Sequence, residues 1–83
     1  MPPMVIHRII WANNTYYATR RASRQEIEEV LLRAGTSFRR NLSGRAATHQ
    51  ATGRTEAGRP LTVVFIYLRV DQAAIPINAW ERR

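Results

Sequence analysis

The sequence predicts a small two-layer α+β domain: an N-terminal strand, one or two helices, then a three- to four-stranded antiparallel meander. Three observations predict it. First, Leu61 to Val70 is an almost unbroken run of β-branched, aromatic and leucine residues, interrupted only by Arg69. Opened by Gly58 and Pro60, it reads as a strand. Second, Ser23 to Ala34 joins a capping signal to apolar residues at helical spacing, and such a stripe must bury against a sheet. Third, 83 residues suffice for one small core, so residues 1–83 form a single domain.

The long run is expected to be the central strand. It does not alternate, which predicts cover on both faces. At the N-terminus, Val5 to Trp11 is short and rich in β-branched and aromatic residues, a strand. Between Ala12 and Arg21 the pattern is ambiguous: Asn13-Asn14-Thr15 can start a helix of one or two turns.

The helix from Ser23 is better specified. Ser23 and Glu26 have capping-box spacing, and Ile27, Val30, Leu31 and Ala34 fall on one stripe. Glu26, Glu28 and Glu29 suit the positive end of the helix dipole, which explains them without catalysis. Glu29 and Arg33 are spaced for an ion pair, and Gly35 for a left-handed cap. Next come three β-like segments: Ser37 to Leu42, a polar strand from Ala46 to Thr52, and the long strand. After the Asp71-Gln72 turn, Ala73 to Trp80 makes a last strand. Pro76 places that strand at an edge or at a bulge.

Thirteen basic residues, all arginine, oppose six acidic ones, for a net charge of +7. Genome bias accounts for the missing lysine. The surplus charge points to a polyanion or an acidic protein partner. Without cysteine there is no disulfide framework or thiolate metal site. The two histidines lack ligand-spaced companions, so no metal is expected, and no motif asks for a cofactor. MPPMVIHR is too short and polar for a signal peptide, and no segment reaches the ~20 apolar residues of a membrane span. A soluble cytoplasmic protein is the expectation.

RNA cleavage by a 2′-hydroxyl needs a base, an acid and cations for the phosphorane charge. Arg39, Arg40, Arg45, Arg54 and Arg59 lie on strands and turns around the central strand, and Arg20 and Arg21 precede the capped helix. Each is also plausible as a solvated surface residue. For proton transfer the candidates are His7, His49, Tyr16, Tyr17 and Glu56. His49 is the strongest, lying between Arg45 and Arg54 on the polar strand. Thus His49, Arg54 and Arg45 are the candidate catalytic set, and Arg39, Arg40, Arg59, Arg20, Arg21 and Tyr16 the candidate RNA contacts. Tyr16 could stack on a base or simply pack the first helix. Trp11 and Trp80 fit core or partner-interface roles.

Three pieces of the chain together resemble the BrnT toxins of bacterial type II toxin–antitoxin systems. They are the strand ending in Trp11, the helix Ser23-Arg24-Gln25-Glu26-Ile27-Glu28-Glu29-Val30-Leu31, and the turn Gly53-Arg54-Thr55-Glu56-Ala57-Gly58-Arg59-Pro60-Leu61. The resemblance implies a RelE-like fold, metal-independent ribonuclease activity, and a small acidic antitoxin partner of the ribbon-helix-helix DNA-binding kind. Ala12, Arg20-Arg21 and Trp80 stand where that family has Asp, His-Gly and Arg. A catalytically impaired relative acting as a protein-interaction or nucleic-acid-binding module is therefore the alternative. A plain RNA- or DNA-binding module is the third possibility, although the best helix carries three glutamates rather than a basic face.

Overall fold

A computed structural model describes residues 4–11, 15–42 and 46–82, without the side chains of residues 15 and 16. The elements are β1 (Arg8–Ile9), α1 (Thr15–Ala18), α2 (Arg24–Leu32), β2 (Ser37–Arg40), β3 (His49–Arg54), β4 (Pro60–Leu68) and β5 (Ala73–Glu81). They make a small α+β structure with one five-stranded sheet in the order β1-β5-β4-β3-β2. The long apolar run is the middle strand, as expected.

Strands β2 to β5 form the antiparallel meander. The sheet is nevertheless mixed, because β1 joins β5 in parallel, Arg8 opposite Ala73 and Ile9 opposite Ala74. The expected Val5–Trp11 strand is thus reduced to two paired residues, flanked by bonds from His7 N to Gln72 O and Ile10 N to Ala74 O. Pro76 fits its missing donor in both expected ways. Beyond Ala74 no described strand pairs with the outer edge of β5, and the β4–β5 register shifts between Val64 and Phe65, opposite this point.

Helix α2 begins as its sequence specifies. Ser23 Oγ accepts the Glu26 amide at 3.1 Å, and Glu26 Oε1 accepts the Ser23 amide at 3.0 Å. Ile27, Val30 and Leu31 are buried in one cluster with Leu61, Val63 and Phe65 of β4, Ala51 of β3 and Ala79 of β5. The C-terminus differs from expectation. The helix stops at Leu32, and Arg33 is already extended, with ψ 138°. Gly35 has the expected positive φ, 93°, but in the following turn rather than as the cap. Thr36 Oγ1 closes the helix instead, donating to Val30 O at 2.6 Å. Because Arg33 has left the helix, the expected Glu29–Arg33 pair does not form. Glu29 accepts from Gln25 Nε2 and the Glu56 amide, and Arg33 donates to backbone carbonyls.

Cover on both faces of β4 was also expected, and only one face has it among the described residues. Leu61, Val63 and Phe65 point toward the helices and are fully buried. On the other face Val64, Ile66 and Leu68 are only half-buried. They are shielded sideways by β5, where Ile75 pairs with Ile66 and Trp80 with Thr62. An apolar run without alternation reports lateral cross-strand packing as well as a covering layer, which is why it misled.

Candidate functional site

Strand parity divides the arginines and His49 into two groups. Successive strand residues face opposite sides of the sheet. On β3, His49, Ala51 and Gly53 share the helix side, while Gln50, Thr52 and Arg54 share the open side. Register carries this outward: Arg40 on β2 pairs with His49, and Arg39 with Gln50. His49 and Arg40 are therefore companions, whereas Arg54 and Arg39 belong to the other face. The expected grouping of His49 with Arg54 does not form. Arg45 lies outside the described residues, as does the side chain of Tyr16.

Around His49 the environment is aromatic. Its ring stacks on Phe65, centroids 6.0 Å apart at 25°, and meets the edge of Tyr67 at 5.8 Å and 78°. Phe38 lies edge-on to Phe65 at 6.2 Å. Burial, and then the positive charge of Arg40, hold the His49 pKa below its ordinary 6.5. Thr48 orients the ring. Its Oγ1 lies 2.9 Å from His49 Nδ1, accepts the Tyr67 amide at 2.9 Å, and lies 3.5 Å from Phe65 O. In the tautomer with Nδ1–H donating to Thr48, the hydroxyl proton turns to Phe65 O and Nε2 keeps its lone pair; in the other, Thr48 donates to Nδ1 and Nε2 carries the proton. Tyr67 donates its hydroxyl to Val5 O at 2.9 Å. Sequence reasoning overlooked Tyr67 because it sits inside the apolar run. Its signal was the hairpin register, since the antiparallel partner of His49 is Phe65 and Tyr67 is next on the same face.

The turn after β3 proves to be a structural hub. Gly58 adopts φ 91°, which favours glycine, and donates its amide to Thr55 O. Thr55 is 1% exposed, and its Oγ1 accepts the Arg59 amide. Arg59 then binds α2, β5 and the segment before α2. Nη1 reaches both Glu26 oxygens at 3.0 and 3.1 Å, Nε reaches Glu81 at 2.7 Å, and Nη2 reaches Arg21 O at 2.7 Å. These partners raise the Arg59 pKa, Glu81 first and then Glu26. Arg59, expected as an RNA contact, also serves as a clamp that ties the turn before β4 to α2 and β5. On the helix side, the Ser23 backbone bond and then Arg59 hold the Glu26 pKa down against burial.

The remaining candidates are dispersed. Arg20 and Arg21 are exposed after α1, and only the carbonyl of Arg21 takes part in the clamp. Tyr17 is exposed on α1, and His7 beside the β1 edge. Glu56 is exposed in the turn beyond Arg54, at the opposite end of β3 from His49. Trp11 is a packing residue: Nε1 donates to Glu28 at 2.8 Å, and Arg24 lies 5.1 Å over its ring. Trp80 is half-buried on the open face.

No group of three His, Cys, Asp or Glu side chains suited to a metal ion occurs among the described residues, nor does any helix long and apolar enough to cross a membrane. Comparison with protein-family models, with curated proteins and with solved structures finds no match.

Proposed function

We propose that the chain is the toxin of a type II toxin–antitoxin pair: a metal-independent endoribonuclease of RelE-like fold, restrained by a small acidic antitoxin. The observation that carries this reading is His49, kept neutral near pH 7 by burial and Arg40 and seated on Phe65 beside Tyr67. A neutral imidazole with a free Nε2 is a competent base at physiological pH. In the proposed step Nε2 takes the 2′-hydroxyl proton, and the 2′-oxygen attacks the adjacent phosphorus. The bond to the 5′-oxygen breaks, that oxygen gains a proton from water, and a 2′,3′-cyclic phosphate remains. Arg40 is the cation best placed for the phosphorane charge.

The net charge of +7 supports both RNA and an acidic antitoxin as partners. The half-buried apolar side chains of the open face supply a surface that such a partner could cover.

A second reading, a nucleic-acid-binding protein without catalysis, is favoured by the separation of Arg54 from His49 on opposite faces. Incubating purified protein with single-stranded RNA in EDTA distinguishes the two. The first reading expects products with 2′,3′-cyclic phosphate ends. RNA that is bound but left intact would support the second.

A further inference from the structure

The open side of the sheet carries a concentration of charge that the His49 site does not use. An open cleft of about 450 Å³ is lined by Arg33, Arg39, Arg54 and Arg82, together with Ser37 and Thr52, at the edge where α2 hands over to β2. No acidic residue lines it. Both ion pairs found among the described residues belong to Arg59, so none of these four lining arginines is paired with a carboxylate.

Two of the four are anchored by backbone. Arg33 Nη1 donates to Arg54 O at 3.1 Å and Thr55 O at 3.0 Å, and Arg54 Nη1 donates to Gly58 O at 2.9 Å. Each spends one nitrogen on its anchor and presents the rest of a rigid fork that matches phosphate oxygens. Fixing these side chains in advance lowers the entropy cost of binding. No aromatic side chain lines the cleft, so it offers a base nothing to stack on. Such a lining suits a sugar–phosphate backbone read without regard to sequence. The cleft lies at the Arg54 end of β3, five residues and about 17 Å along the strand from His49, and its strand residues Arg39, Thr52 and Arg54 are on the face opposite His49.

We propose that the Arg33–Arg39–Arg54–Arg82 cleft binds the phosphate backbone of single-stranded RNA, as a site separate from His49. The choice of RNA rests on the ribonuclease reading. The site itself rests on the convergence of four arginines.

The test measures binding of a labelled single-stranded RNA by fluorescence anisotropy across a salt series. Arg39 and Arg82 make no intramolecular side-chain bond among the described residues, so Arg39→Gln/Arg82→Gln should leave the fold intact. The control, Arg8→Gln/Arg69→Gln, removes the same charge from exposed positions outside the cleft. The cleft variant should lose at least tenfold in affinity at low salt. Its salt dependence should flatten by about 1.4, for two phosphate contacts at 0.7 each. The control should change by threefold or less, roughly a general charge effect.

Equal losses in the two variants would overturn the cleft, as would an acidic peptide that binds it more tightly than RNA at equal salt. The two readings fail separately. Wild-type protein that binds RNA in this pattern without cutting it keeps the cleft and removes the ribonuclease. Protein that cuts RNA while the two variants behave alike does the reverse.

Discussion

His49 and Arg40 are register partners across β2 and β3, on the same face of the sheet, and the arginine opposes protonation of the histidine. Burial is the larger cause of the lowered pKa and Arg40 the smaller. An NMR titration should therefore give His49 a midpoint below 6.5. Arg40→Gln should raise it part of the way back. A midpoint unchanged in the variant would mean that Arg40 does not act on the ring. The linked effect on stability has a definite sign. The unfolded chain takes up this proton before the folded one, so His49 begins to destabilise the fold as pH drops below 6.5 and continues until the folded pKa is passed. His49→Gln should remove that part of the acid sensitivity.

Arg59 predicts a loss of stability without a change of site. Its pairs with Glu26 and Glu81 are partly solvated, with the arginine side chain 31% exposed in both. We expect Arg59→Ala to cost roughly 1–2 kcal/mol, between an exposed ion pair and a charged hydrogen bond. That corresponds to about 4–8 °C of melting temperature per kcal/mol in a domain this small. Thermal melts should show the loss near neutral pH. Glu26 has a depressed folded pKa, so its contribution is complete above the ordinary value of 4.5 and disappears as pH falls through the folded value. The gap between wild type and Arg59→Ala should accordingly narrow in acid. A gap of constant size from neutral to acid pH would contradict the clamp.

Gly53 is required by close approach rather than by φ. A Cβ there would meet Thr36 Oγ1 at 2.7 Å and Thr36 Cγ2 at 3.3 Å, while the Thr36 hydroxyl is held on Val30 O. Gly53→Ala should destabilise by about 1–3 kcal/mol, the usual cost of overpacking. Thr36→Ala removes both clashing atoms at the cost of the helix-closing bond. The double variant should therefore be more stable than the sum of the two single effects predicts, as denaturant melts can check. Strict additivity would argue against the clash.

Much of the fold was legible because its signals are local. The Ser23–Glu26 box, the Ile27–Leu31 stripe and the composition of Leu61 to Leu68 each specify one element without tertiary help. What could not be read depends on partners distant in the chain. The parallel docking of Arg8–Ile9 beside Ala73 is one such case, and the half-buried outer face of β4 is another. For the site, composition picked out His49 and the arginines, but not which of them share a face. Residue types do not encode the register that sets His49 with Arg40 and sends Arg54 to the opposite side. The clamp made by Arg59 was hidden for the same reason, since Glu26 and Glu81 lie 33 and 22 residues away.

The central claim is that His49 is the base that cuts RNA. Its most direct measurement is the rate of single-stranded RNA cleavage in EDTA by wild type and by His49→Gln, with far-UV circular dichroism confirming that both are folded. The account predicts measurable cleavage by wild type and a loss of about 10²–10⁴-fold in the variant, the range of a single proton-transfer group. Equal rates in the two proteins, or no cleavage by folded wild type, would contradict it.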